Sequence, residues 1–201
     1  MLIFWVITAS ILFTTSLSLR CYPPRRGMLP IPAHCRDLAG ALTYAASLPR
    51  GNDLKRWGRS LPSAGDTENV PKLYWLAGRG PTTCAVELDA VPSKPDAVEE
   101  FGLKAVAQAA ARIVNICVYG QSRVGNETLG PTEGIVAELR RTDSPRFRLW
   151  HKGGFERLTL ANGAELMAGS IIETKPPTDR TVLPVVMNNT DGGGNRLLHS
   201  S

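Results

Sequence analysis

The sequence predicts an α+β fold, in which two helices pack on a mainly antiparallel sheet as a two-layer sandwich stabilised by two disulfides. Three observations predict it. Two segments repeat apolar residues at three- and four-residue steps, two segments alternate apolar and polar residues, and the chain contains four cysteines, an even number. At 201 residues the chain is long enough for one domain with a substantial core.

The first element is a predicted signal peptide, residues 1–18. Leu2 to Leu12 is apolar apart from Thr8 and Ser10, and small polar residues follow it. This order is typical of a signal peptide, and we expect cleavage after Ser18. A membrane anchor is the main alternative, but a spanning helix needs about 20 predominantly apolar residues, and this run is shorter. We therefore expect a secreted, extracellular mature chain without a transmembrane segment.

The second element is an amphipathic helix that follows an extended, proline-rich arm from Cys21 to Pro32. Pro32 suits the first turn of a helix. The segment Ala33 to Ser47 then carries one apolar stripe, formed by Cys35, Leu38, Ala39, Leu42 and Ala46. The polar segment Gly51 to Val70 is predicted to be a loop with Trp57 as its anchor.

Two strands are predicted next. Pro71 to Gly78 is rich in strand-forming aromatic residues, and a turn follows it. Thr83 to Ala90 alternates, which predicts a half-buried strand with Cys84, Val86 and Leu88 on its apolar face.

The second helix has the clearest pattern. Asp96 and Glu99 form the D-x-x-E variant of a capping box, which predicts that they satisfy free amides at the helix start. A broad apolar face continues to Cys117, and its small residues predict close packing against a sheet. Gly120 and Gly125 are expected to end this helix.

The remaining elements are strands and a tail. Glu133 to Arg141 alternates like a half-buried strand, and Pro145 to Trp150 and Glu156 to Leu160 are possible further strands. Residues 175–201 have little to bury and are predicted to be a disordered tail. These assignments give one α+β domain over residues 19–174.

Four cysteines, Cys21, Cys35, Cys84 and Cys117, lie beyond the predicted cleavage point. A helix that returns along a strand would bring Cys117 near Cys84, so Cys84–Cys117 with Cys21–Cys35 is the favoured pairing. Cys35–Cys84 with Cys21–Cys117 stays open as an alternative, because sequence alone does not choose between connectivities.

The cysteine pattern resembles that of a known group. It comprises His34-Cys35-x-x-Leu38, Trp57, the run PKLYWLAGRGPTTCAVELD and an alanine-rich helix ending in Ile113-x-x-Ile116-Cys117. From Cys21 to Arg141 it is similar to small secreted cysteine-containing proteins of filamentous ascomycete fungi, many of them candidate effectors. It has a more distant similarity to killer-toxin-like extracellular effectors, which implies a split βαβ sandwich. The double glycine usual after the helix is replaced here by Gly120 and Gly125.

The sequence does not contain the spacing typical of common catalytic or metal-binding motifs. A nucleophile elbow, G-x-S-x-G, does not occur. The cysteines lack the short spacing typical of zinc sites, so neither a metal nor a cofactor is predicted. Glu87 and Asp89 share one face of a strand and could serve a glycosidase, although surface solvation also explains them.

The charge of the chain indicates the class of its partners, and two sequons indicate sites of modification. The net charge is +5 and the pI is near 9.2, which favours anionic ligands such as an acidic polysaccharide. The candidate anion-binding residues cluster near Phe147 and Trp150: Arg140, Arg141, Arg146, Arg148 and Lys152. A strand with a charged outer face is the alternative explanation for the same residues. Glycosylation is predicted at Asn126 and Asn188, each in an N-x-T sequon.

The function expected from the sequence is therefore that of a secreted, non-enzymatic binding protein. Its partner is expected to be an anionic polysaccharide or a host or cell-surface protein. A small glycosidase-like hydrolase and a toxin-like antimicrobial protein are the alternatives.

Overall fold

The architecture is a two-layer α+β sandwich, as predicted. The computed structural model describes residues 18–24, 29–62, 64–78, 83–142, 155–161 and 163–170. Two helices lie on one face, here called the inner face, of a seven-stranded antiparallel sheet, and a three-stranded sheet lies beside them. None of the helices in these residues is long and apolar enough to cross a membrane.

The large sheet has the strand order β1-β7-β8-β5-β4-β10-β9, with every neighbour antiparallel. Its strands are β1 (Arg20–Tyr22), β4 (Lys72–Leu76), β5 (Cys84–Ala90), β7 (Val124–Leu129), β8 (Ile135–Arg141), β9 (Phe155–Thr159) and β10 (Glu165–Ser170). The strands predicted over 71–78, 83–90, 133–141 and 156–160 are therefore confirmed within a few residues at each end. The strand predicted over 145–150 lies outside the described residues.

Strands β5 and β8 form the centre of the sheet. On β8, Ile135, Ala137 and Leu139 face the helices, as the alternation predicted. On β5 the apolar face is also as predicted, but the opposite face is buried too, because Ala85 and Glu87 are almost inaccessible. The prediction of a half-buried β5 is wrong, since this central strand has pairing strands on both sides and contacts covering its second face.

The first helix, α1 (Pro32–Ser47), begins with proline in its first turn and buries the predicted stripe, except that Ala46 is half-buried. The segment that follows it is not a loop throughout. It forms β2 (Lys55–Gly58) and β3 (Thr67–Asn69), which join β6 (Glu99–Phe101) in the small sheet. Trp57 is its anchor, as predicted, since its ring stacks on Phe101 and its Nε1 donates to the Phe101 carbonyl at 2.9 Å.

The second helix, α2 (Leu103–Arg112), starts later than the capping box predicted. Glu99 lies in β6, and the helix amide of Lys104 is capped by the Asn52 side chain, with 2.9 Å between N and Oδ1. The capping assignment for Asp96 and Glu99 is wrong because the long-range contacts of Glu99 outweigh the local pattern. The helix continues as a π-helical segment, Ile113–Tyr119, and Gly120 caps it.

The disulfides join Cys21 to Cys117 and Cys35 to Cys84. The favoured pairing is therefore wrong, and the alternative is confirmed. The reason is the position of β1, which pairs with β7 at the sheet edge and sets Cys21 opposite Gly125. Gly125 does not terminate the helix as predicted, because it lies within β7.

The N-terminal boundary is described only from Ser18 onward. The Ser18 hydroxyl donates a hydrogen bond to the carbonyl of Thr128 and accepts one from its amide, and Leu19 packs against the core. Residues 1–17 and the tail predicted over 175–201 lie outside the described residues. The division into a signal peptide, one domain and a tail stays a prediction.

Candidate functional site

The two helices leave part of the inner face open beside β4, β10 and β9. Between this part of the sheet, the end of α1 and the small sheet lies a cavity of about 370 Å³, here called the interlayer cleft. Its apolar surface comes from both layers, with Leu48 and Leu103 on the helix side and Tyr74, Leu158, Leu166 and Ala168 on the sheet side.

A charged cluster in the interlayer cleft is centred on Lys72. Lys72 is the first residue of β4 and points to the inner face, in register with Leu88 and Ser170. Its side chain is only 4% exposed, which is unusual for an ammonium group unless it is paired. Its Nζ lies 2.5 Å from Glu68 Oε2 and 3.3 Å from Glu156 Oε2.

Glu68 joins two lysines. It also accepts a hydrogen bond from Lys55, which is on the neighbouring strand β2. Burial alone would raise the pKa of Glu68, but the hydrogen bonds and charges of Lys55 and Lys72 outweigh it, so that pKa lies below its ordinary value. Glu68 is therefore a fixed carboxylate at neutral pH.

Tyr74 supplies a neutral polar group. Its ring lies under the ammonium of Lys72, with 5.9 Å from Nζ to the ring centroid. Burial raises the pKa of Tyr74 well above its ordinary value, and the charges of Glu68 and Glu156 raise it further. The hydroxyl therefore keeps its proton near neutral pH.

The interlayer cleft was not predicted from the sequence. Glu68 and Lys72 are four residues apart, on the consecutive strands β3 and β4, whereas Glu156 comes from the distant strand β9 and reaches Lys72 only through the order of the sheet. One signal was available: Lys72 is the second residue of the run PKLYWLAG, which was itself predicted to be a strand. A lysine at the start of an aromatic, buried strand needs charged partners when it is buried, so it indicates a polar cluster.

The predicted anion-binding residues are only partly described. Arg140 is on the outer face of β8, where its guanidinium contacts both Glu87 and Glu138. Its charge is thus opposed by two carboxylates, which does not favour anion binding at this position. Arg141 ends β8, whereas Arg146, Arg148 and Lys152 lie outside the described residues, so the patch as a whole stays a prediction.

The outer face also carries a groove of about 580 Å³, lined partly by Glu87, Asp89, Glu138 and Arg140. The two carboxylates considered for a glycosidase are engaged in ion pairs here. Glu87 is buried against Arg140, and Asp89 accepts a hydrogen bond from Arg59 at 2.8 Å. The geometry therefore gives Glu87 and Asp89 structural contacts rather than positions facing each other across a cleft.

Asn126 lies on β7, partly buried, and contributes to this outer groove. Its glycosylation stays a prediction, and Asn188 lies outside the described residues. In the part of the chain that the structure describes, no cluster of three acidic, histidine or cysteine side chains could hold a metal ion.

Comparison with known proteins adds no relative: no protein-family model, curated protein or solved structure matches this chain.

Proposed function

We propose that the protein is a secreted, non-enzymatic binding protein that holds a small ligand in the interlayer cleft. The observation that carries this proposal is the buried ammonium of Lys72 in the lining of an open cavity that also has apolar side chains from both layers. Binding sites for small molecules combine apolar walls with a few convergent polar groups in this way.

The size of the cavity is adequate for such a ligand. Its volume of about 370 Å³ is within the range of about 300–1,000 Å³ that small-molecule pockets occupy. The disulfide between Cys35 and Cys84 joins α1 to β5, so the helix layer and the sheet on either side of the cavity are covalently linked. Linked layers need less reordering when a ligand enters between them, which favours affinity.

Secretion is supported by the predicted signal peptide, the two disulfides and the resemblance to small secreted fungal proteins. Disulfides persist mainly in oxidising compartments, so a pair of them fits an extracellular protein. That setting also fits the predicted class of partner, a cell-surface or host molecule.

A glycosidase-like hydrolase is the second candidate, because Glu68 and Glu156 share one lysine at the interlayer cleft. A glycosidase needs a carboxyl group that stays protonated long enough to act as the acid. The pKa of Glu68 is lowered instead, and the lysines hold it as an anion. Glu68 could therefore serve only as the ionised member of the pair, and the exposed Glu156 would have to supply the acid. Release of nitrophenol from nitrophenyl glycosides, lost in Glu68→Gln, would support the hydrolase.

The binding proposal is tested by a fragment screen that observes backbone amides by NMR. The edge strand β9 offers a matched pair of variants. Leu158 is half-buried and contributes to the cleft, whereas Thr159 beside it is exposed. We expect fragments that shift the amides of Tyr74 and Leu166 to bind the Thr159→Trp protein and not the Leu158→Trp protein.

Two results would overturn the proposal. One is a screen in which no fragment shifts the amides around the interlayer cleft. The other is a set of fragments that bind both tryptophan variants equally, because such fragments would occupy another site.

A further inference from the structure

We infer that the ligand of the interlayer cleft is an amphipathic anion, and that its charged group replaces the carboxylate of Glu156 on Lys72. This inference rests on the proposed function and names its ligand class. The chemistry required is one carboxylate, or a similar anionic group, on an apolar body of a few carbon atoms.

The first argument is the charge of the buried groups. Lys55, Lys72 and Glu68 form a connected trio that carries one excess positive charge at neutral pH. The side chains of Lys72 and Glu68 are 4% and 13% exposed and that of Lys55 is 37% exposed, so the excess charge is partly open to water at Lys55. A partly buried cluster with an excess positive charge favours an opposite charge beside it.

The second argument is that the present counter-charge is easy to displace. Glu156 lies on the edge strand β9, its side chain is 78% exposed, and its oxygen is 3.3 Å from Lys72 Nζ. Because Glu156 is exposed, solvent screens its carboxylate and its flexible side chain must be held in place, so this pair contributes less than the one between Lys72 and Glu68. Glu68 is harder to displace, because it is 13% exposed and pairs with both Lys55 and Lys72.

The third argument concerns the rest of the ligand. Leu158 and Leu166 from the sheet, and Leu48 and Leu103 from the helix layer, provide apolar surface in the same cavity. A chain or ring attached to the anionic group would exclude water from Lys72 and bury apolar area at the same time. A cationic ligand would gain the same apolar contacts but would face the excess positive charge.

The inference is tested with three probes that share one alkyl chain: octanoate, 1-octanol and octylammonium. Their affinities are measured by NMR titration at low ionic strength. We expect octanoate to bind most tightly. We expect Glu156→Gln to tighten octanoate binding about two- to fivefold, because it removes the competing carboxylate. Glu100→Gln, an exposed glutamate on β6, is the matched control and should leave the affinity unchanged.

Lys72→Met supplies the second arm. It should weaken octanoate binding about tenfold or more while leaving 1-octanol binding nearly unchanged, because only the anion uses the ammonium. If Lys72→Met does not fold, Glu156→Gln still tests the ligand class, because Glu156 is exposed and its replacement leaves the core packing unchanged.

The inference fails if octylammonium or 1-octanol binds the wild-type protein as tightly as octanoate. It also fails if Glu156→Gln leaves octanoate binding unchanged or weakens it. Failure of all three probes alongside a successful fragment screen would overturn the ligand class and leave the proposed function standing. Failure of the fragment screen as well would overturn both.

Discussion

The carboxylate of Glu99 accepts a hydrogen bond from the backbone amide of Gly134, with 2.6 Å between the two atoms. The same carboxylate accepts hydrogen bonds from the amide and the hydroxyl of Thr132. Glu99 is almost fully buried, so these donors replace its water. An acidic side chain on β6 therefore holds the turn between β7 and β8.

Replacing Glu99 with glutamine should lower the free energy of unfolding by about 2–3 kcal/mol. The glutamine side chain cannot form charge-assisted hydrogen bonds, and its NH₂ group would face a backbone N–H that is also a donor. Urea denaturation measures the change. Glu100→Gln, exposed and next in the chain, should change it by less than about 0.5 kcal/mol. Equal effects of the two substitutions would contradict the role assigned to Glu99.

Glu68 should titrate below its ordinary pKa of 4.5, which carbon NMR of its side-chain carboxyl would measure. Since this pKa is lower in the folded state, the stabilisation is present above the ordinary value. It is lost as the pH falls through the folded-state value. In Lys72→Met the titration midpoint of Glu68 should rise, because burial still raises its pKa while only one of the two lysines that lower it remains. A midpoint that stays unchanged in this variant would show that Lys72 does not hold the carboxylate.

Removing the disulfide between α1 and β5 should destabilise the protein. Cys35 and Cys84 are separated by 49 residues, and a cross-link that closes a loop of this size contributes about 4 kcal/mol in the chain-entropy treatment. We expect Cys35→Ala/Cys84→Ala to lose about 2–5 kcal/mol in urea denaturation. Cys21 should remain linked to Cys117 in this variant, which peptide mapping without reduction would verify. A different partner for Cys21 would contradict the structure.

Gly125 should not tolerate a side chain. A Cβ there would lie 2.6 Å from Cys117 Sγ and 3.0 Å from the Arg20 carbonyl oxygen, so the disulfide or β1 would have to move. We expect Gly125→Ala to destabilise the fold by about 1–3 kcal/mol, as overpacking does.

Gly40→Ala is the matched control for that substitution. Gly40 is within α1, and a Cβ there meets no atom within 4 Å. Because alanine favours a helix over glycine, this change should stabilise the protein by about 0.5–1 kcal/mol. A similar fall in melting temperature for Gly125→Ala and Gly40→Ala would contradict the steric explanation for Gly125.

Sequence patterns predicted the elements whose burial follows a simple period. Strand β8 has one face toward the helices, and α1 buries one stripe, so the period of each marks its buried side. Strands β2 and β3 were predicted as loop because they are short and polar, and pairing with β6 rather than periodicity holds them.

The features that sequence patterns did not predict depend on contacts between distant segments. The capping pattern at Glu99 is local, but its actual donor at Gly134 is 35 residues away. The disulfide pairing depended on β1 lying beside β7, which three residues of extended chain do not indicate. Lys72 lies four residues after Glu68, but its second partner, Glu156, is 84 residues away and was not identifiable without the sheet order.

The two disulfides are nested, since Cys35 and Cys84 both lie between Cys21 and Cys117 in the chain. During synthesis Cys21 emerges first, and the first cysteine available to it is Cys35, which is not its native partner. Its native partner emerges last of the four. A chain oxidised in the order of its emergence would therefore hold a wrong bond, and such a chain would reach the native pairing only by thiol–disulfide exchange after Cys117 has appeared.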